Sequence, residues 1–135
     1  MSTRDDTATL FTEIGLIIKG RMQKALPLPL SQCQTLNFID EHQHPSMQEV
    51  ARYFHIRAPS ATLLVDELVR AGFVERRASP RDRRKVEVRL TQKGKRLSKT
   101  ISVRRKNVLD LMFNSLSIDD RRHLNRILEK VISDD

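Results

Sequence analysis

Residues 73–91, FVERRASPRDRRKVEVRLT, decide how this chain is read. Val86, Val88 and Leu90 fall on one side of an extended segment, and Glu87 and Arg89 on the other. That two-residue period is the mark of a half-buried strand. Phe73–Arg77 predicts the strand that faces it, and Ala78–Lys85 the connection between them. Pro80 suits the connection, where its fixed φ favours a turn and its missing N–H costs no ladder bond. The loop carries Arg81, Arg83, Arg84 and Lys85 around a single acid, Asp82. A hairpin with cations gathered at its tip contributes little to a core, but it is well shaped to reach phosphates or a groove.

Outward from the hairpin, every neighbouring segment has helical spacing. Just before it, Gly72 is the expected C-terminal cap of a helix over Pro59–Ala71, with Pro59 at the first helical position and Ala61, Leu64, Val65 and Leu68 buried. Ser46-Met-Gln-Glu49 is a capping box, with the serine oxygen taking one free N–H and the glutamate another in return. It opens a short helix to about Phe54 that packs Val50, Ala51 and Phe54. Ser31 is the predicted N-cap of a helix through His42, with Leu36 and Ile39 inward. A first helix from about Asp6 to Leu26 carries the stripe Leu10, Ile14, Ile17, Ile18 and Met22, and Pro27 and Pro29 end it.

Downstream, Thr91 caps a long helix from Gln92 to about Asn114, with Leu97, Ile101, Val108, Leu111 and Met112 on its apolar stripe. Ser117-Ile-Asp-Asp120 starts a last helix through Ile132, striped by Leu124, Ile127, Leu128 and Val131. The predicted fold is mostly α with a small β-hairpin, in the order α-α-α-α-β-β-α-α. No repeat or second domain boundary interrupts it, so residues 1–135 form one unit.

Composition narrows the function. The chain has 135 residues, 31% charged and 4% aromatic, which suits a soluble helical protein. It lacks an apolar run long enough to span a bilayer, and its acidic start MSTRDD is unlike a signal peptide, so a cytoplasmic location without membrane partners is expected. The lone Cys33 forbids an internal disulfide and fits a reducing compartment. Net charge is +8, but unevenly placed: from Arg76 to Lys106, fourteen Lys and Arg face only Asp82 and Glu87. That segment is +12 and the remainder −4, a distribution that calls for an anionic partner. Only four glycines occur, with no nucleophile elbow and no phosphate-binding glycine loop. Neither an enzyme nor a cofactor is expected.

A short helix, a turn, a second helix and a basic hairpin make a winged helix-turn-helix. The exposed N-terminal end of the second helix can enter a major groove, about 12 Å wide, with its first turn at the base edges. Its free N–H groups and dipole favour phosphate. An arginine on the hairpin can enter the adjacent minor groove, where width and negative potential are read. Val74-Glu-Arg-Arg, Pro80-Arg-Asp-Arg-Arg84, Val88-Arg-Leu-Thr91 and Gly94, together with Ser60-Ala-Thr-Leu-Leu-Val-Asp66-Glu-Leu68 and Gly72, resemble the MarR-type transcriptional regulators, small bacterial winged-helix homodimers. The resemblance covers most of the chain and is firmest over about Leu28–Leu97.

The resemblance implies residue roles. Arg84 would be the wing arginine in the minor groove, with Asp82 pairing to it and fixing its direction. Arg57, Ser60 and Thr62 would meet phosphates or base edges, and Arg77, Arg81 and Arg83 the DNA backbone. Gln32, Ser46 and Gln48 lie near helix starts that could touch phosphate. Leu63 and Glu67 depart from the family, which often has arginine or another polar residue there; the leucine either meets a thymine methyl or packs inward.

Residues 31–91 would form the DNA-binding lobe, and residues 5–26 and 92–133 the region in which two subunits interlock. A small-molecule effector of unknown identity would sit between these regions, near Arg21, Met22 and the Pro27–Pro29 elbow. Cys33 is a candidate redox switch, although a packed cysteine is the stronger reading because sensor members carry theirs in the first helix. His42, His44, Cys33 and Glu41 lie close in sequence, but no histidine occurs between His55 and His123, so no metal site is expected. The resulting expectation is a homodimeric, sequence-specific duplex-DNA-binding repressor released by a signal. Its alternative is an architectural nucleic-acid-binding protein held by the basic block and indifferent to sequence.

Overall fold

The computed structural model describes residues 3–134, with side chains from Asp6 onward. Helices α1 (Thr3–Ala25), α2 (Leu30–His42), α3 (Met47–Tyr53) and α4 (Ala58–Arg70) precede strands β1 (Val74–Ala78) and β2 (Val86–Leu90), and helices α5 (Gln92–Met112) and α6 (Ile118–Ser133) follow. The predicted order of elements is the observed one.

Local chemistry accounts for most boundaries. Ser46, Thr91 and Ser117 each accept the backbone N–H three residues on, from Glu49, Gly94 and Asp120, at 3.1 Å in every case. The return half of the predicted capping box, Glu49 to the Ser46 N–H, is absent from the hydrogen bonds of the described residues. Helix α2 begins earlier than Ser31. Its N-cap is Pro29, whose carbonyl accepts the N–H groups of Gln32 and Cys33, while the Ser31 carbonyl takes the Thr35 hydroxyl inside the helix. A proline can cap with its carbonyl alone, since the N–H it lacks is not required there. For the same reason Pro59 sits at the second helical position of α4, behind an Arg57 N-cap, instead of the first.

Helix α4 ends in a Schellman pair: the Gly72 N–H reaches the Val69 carbonyl and the Phe73 N–H the Leu68 carbonyl. Gly72 has φ +82°, which suits glycine. Helix α3 ends in the same way, but His55 takes the left-handed position at φ 52°.

The hairpin pairs Val74 with Leu90 and Arg76 with Val88, antiparallel. It starts one residue later than Phe73 because the Phe73 N–H is committed to closing α4. A third extended segment joins it. Ser46 bridges Glu87, and the Val88 N–H donates to the Pro45 carbonyl at 2.9 Å. Val88 is fully buried and Leu90 nearly so, but Val86 lies beyond the core and is largely exposed.

One core fills the centre. Leu36 and Ile39 of α2, Val50 of α3, Ala61, Val65 and Leu68 of α4, Val74 of β1, Val88 of β2 and Ile101 of α5 are essentially shut from solvent. Each large aliphatic side chain there contributes roughly 1.5–3 kcal/mol of burial. A buried polar bridge ties α2 to α5: the Asn37 Nδ2 donates to Ser98 Oγ at 2.8 Å, and the Ser98 hydroxyl donates to Asp40.

Helix α5 leaves the hairpin with no linker. A side-chain carbon on Gly94 would stand 2.0 Å from the Phe73 carbonyl oxygen, so only glycine fits. Above it, the Thr91 hydroxyl donates to the Gly72 carbonyl and the Lys93 ammonium to the Ala71 carbonyl, closing the last turn of α4.

The terminal helices behave differently. Of the predicted α1 stripe only Met22 enters the core and Ile18 is half-buried; Leu10, Ile14 and Ile17 are exposed. Leu111 of α5 is 71% exposed, and no residue of α6 is buried.

Candidate nucleic-acid interface

The wing tip is built from the backbone inward. Pro80 has no N–H, so the Ser79 hydroxyl serves the two donors that follow it, accepting from Arg81 at 3.3 Å and Asp82 at 3.4 Å. The Ser79 N–H donates to the Lys85 carbonyl and the Lys85 N–H to the Asp82 carbonyl, both at 3.0 Å, which closes the loop. Ser79 is buried at an otherwise exposed tip. Ser79 is not among the expected site residues, although a serine beside a turn proline is the local signal for such a turn.

Asp82 does not pair with the Arg84 guanidinium, as the resemblance implied. Its Oδ1 accepts the Arg84 backbone N–H at 3.0 Å. A carboxylate two residues back reaches the main chain more readily than the far end of a long side chain, making a local turn. It therefore fixes where Arg84 leaves the loop and keeps its charge free. Among the described ion pairs none involves Arg77, Arg81, Arg83 or Arg84, and all four are exposed.

The other hairpin arginines have structural work. Arg76 binds Asp66 of α4, and Arg89 binds Glu75 across the strands at 3.0 Å. The first of these joins the wing to α4 by an ion pair.

Helix α4 presents an open N-terminus. Arg57 supplies no side-chain cap, and Arg57, Ser60 and Thr62 are exposed around the first turn. Leu63 does not pack inward; it too is exposed. Glu67 accepts the side-chain amide of Gln32, which joins the start of α2 to the outer face of α4. Of the three weaker phosphate candidates, Gln32 is thus engaged, Ser46 is buried as a cap, and Gln48 remains exposed near the start of α3.

Cys33 is buried, with its thiol against the Leu28 carbonyl at 3.4 Å. Burial pushes its pKa up, away from the thiolate that oxidation requires. The His42 ring packs on Phe38 and its Nδ1 meets the Phe38 carbonyl at 3.0 Å, remote in role from any shared metal site. Met22 is in the core, while Arg21 lines a groove of about 410 Å³ with Ile14, Ile17, Met112, Phe113 and Leu124.

Comparison with known proteins converges on the same elements. The sequence model of the MarR family matches residues 26–85, from the start of α2 through the wing loop. Over that stretch the chain is similar to the MarR family. It is 27% identical over 117 residues to the transcriptional repressor MprA of Escherichia coli (strain K12), a match covering 85% of this chain and 66% of MprA, just under two thirds of that protein. The fold is that of a MarR family protein from Bacillus stearothermophilus, with a TM-score of 0.84 at 23% identity over 99% of this chain and 97% of that one. It also matches a mutant E. coli MarR complexed with operator DNA, with a TM-score of 0.83 at 20% identity over 97% of this chain and 99% of that one. No described helix is long and apolar enough to cross a membrane.

Proposed function

We propose that this chain is a cytoplasmic, homodimeric repressor of the MarR family that binds a two-fold-related duplex DNA site. The carrying observation is the wing tip: Ser79 and Asp82 fix its backbone while Arg77, Arg81, Arg83 and Arg84 keep their charges unpaired. A rigid loop with uncommitted guanidinium groups loses little order on meeting an anion. Arg84 enters the minor groove, Arg81, Arg83 and Arg77 follow the phosphates, and Arg57, Ser60 and Thr62 face the major groove from the open end of α4. Residues 31–91 act as the reading lobe.

Residues 5–26 and 92–133 form the dimer region. The apolar side chains left open on α1 and α6, among them Phe11, Leu16, Ile127 and Val131, support this, since a monomer leaves them in water. Two lobes on one dimer read half-sites about 34–36 Å apart. A small molecule or another signal that changes their separation releases the DNA by shifting the population away from the binding geometry. The thiol chemistry of Cys33 plays no part in this reading.

The test is to mix the purified protein with sheared genomic DNA at near-physiological salt and sequence what it retains. A few enriched fragments sharing a two-fold motif are expected. Uniform recovery would replace the regulator by an architectural binder, and no recovery would remove duplex DNA as the partner.

A further inference from the structure

The outward face of α4 runs through Pro59, Leu63, Glu67 and Arg70, each one turn from the next and all exposed. Leu63 is at its centre, 58% exposed, and is the one large apolar side chain of α4 that is exposed. A lone surface leucine is ordinary in itself. Its surroundings are what distinguish this one. The two carboxylates beside it are both held by neighbours, Asp66 by Arg76 of β1 and Glu67 by the Gln32 amide. Ser60, on the preceding turn, and Thr62 leave the approach to Leu63 open from the uncapped end of the helix.

In a major groove this arrangement has one good match. Base edges there present hydrogen-bond donors and acceptors, which a leucine can only desolvate without return. The exception is the C5-methyl group of thymine, an apolar projection into the same groove. We propose that Leu63 is a specificity-determining residue that selects thymine at one position of each half-site through this methyl group. The inference rests on the duplex-DNA reading above. Glu67, restrained by Gln32, is kept from swinging across the leucine toward a neighbouring amino group.

The experiment uses the full chain, a fragment recovered from the genomic selection, and versions of it in which single thymines, in symmetric pairs, are replaced by deoxyuridine. That change removes only the methyl group. For the unaltered protein, one thymine per half-site is expected to matter, each lost methyl weakening binding about fourfold, the worth of one buried methyl. For Leu63→Ala the same replacement is expected to change nothing at that position. The variant should melt as the parent does, because the side chain is exposed, and keep the parent's salt dependence, because that slope counts phosphate contacts. Indifference to every methyl group, or an undiminished methyl effect in Leu63→Ala, overturns the assignment while leaving the regulator intact. Failure to prefer any fragment overturns the regulator reading itself.

Discussion

The reading lobe and the terminal helices are built from similar residues and end in opposite states. In the lobe, Leu36, Val50, Val65, Leu68 and Val88 disappear completely from solvent, with hydroxyl caps at Ser46 and Thr91 and Schellman pairs after α3 and α4 closing its boundaries. In α1 and α6, leucines and isoleucines at the same helical spacing stay in water. The lobe is a finished object. The terminal helices leave their apolar stripes open, and on the dimeric proposal a second copy, with matching stripes, would cover them.

The hardest challenge to that contrast is to charge the open face. Ile127→Asp with Val131→Asp should leave the lobe folded and convert a dimer into a monomer, as read by sedimentation. Because two linked lobes bind far more tightly than one, DNA affinity should fall on the order of a thousandfold. An unchanged sedimentation coefficient would show that α6 is not part of the contact.

The lobe has its own weak point in Gly94. Gly94→Ala places a carbon against the Phe73 carbonyl and should cost about 3 kcal/mol in a denaturant melt. The same substitution at Gly15, where an added carbon meets nothing within 4 Å, should be harmless or slightly stabilising. Equal effects at both positions would mean that the junction is looser than drawn.

A smaller effect is expected at the wing tip, whose folding does not depend on Arg84. Arg84→Ala should weaken binding to the selected fragment about tenfold and leave the melting temperature unchanged. Asp82→Asn should retain part of the affinity, because an amide oxygen can still accept the Arg84 N–H. If Arg84→Ala lowered the melting temperature as much as the affinity, the wing would belong to the core.

The smallest effect concerns the tether between α5 and α6. Lys106, by hydrogen bond and charge, and Arg121 hold the Asp110 carboxyl below its usual pKa. A depressed carboxylate stabilises above its unfolded pKa, and that contribution is lost as pH falls through the lower folded value. Helix α6 should therefore keep its place across pH 6–8 and loosen only in acid below the ordinary aspartate range, a window that hydrogen exchange along α6 can follow. On this exposed residue the change is slight.

The lobe was legible to the degree that its rules are local. The period of β2, the hydroxyl caps at Ser46, Thr91 and Ser117, and the glycine stop at Gly72 depend on neighbours within a few residues. What escaped needs partners far along the chain or a choice among equals. Nothing local says that Pro45 and Ser46 pair with the wing, or that Gln32 reaches Glu67. Ser31 is a better N-cap by residue type than Pro29, yet the proline carbonyl begins the helix. At the candidate site the basic loop was plain from composition. Whether Asp82 holds a guanidinium or a backbone N–H, and whether Leu63 faces inward, depends on side-chain direction that spacing alone does not carry.

The seam at Gly94 has a mechanical meaning. With no linker between β2 and α5, and with backbone pressed on backbone at Phe73, the wing and the long helix are set like the short and long arms of a crank. At 1.5 Å per residue the long arm measures roughly 30 Å, so a tilt of about 5° at a proposed subunit contact would move the far end by about 3 Å. That is close to the rise of one base pair, about 3.4 Å. On the dimeric reading proposed above, a glycine that allows this close packing would set the gearing, and slight motion at the seam would become a one-step error in register on the DNA.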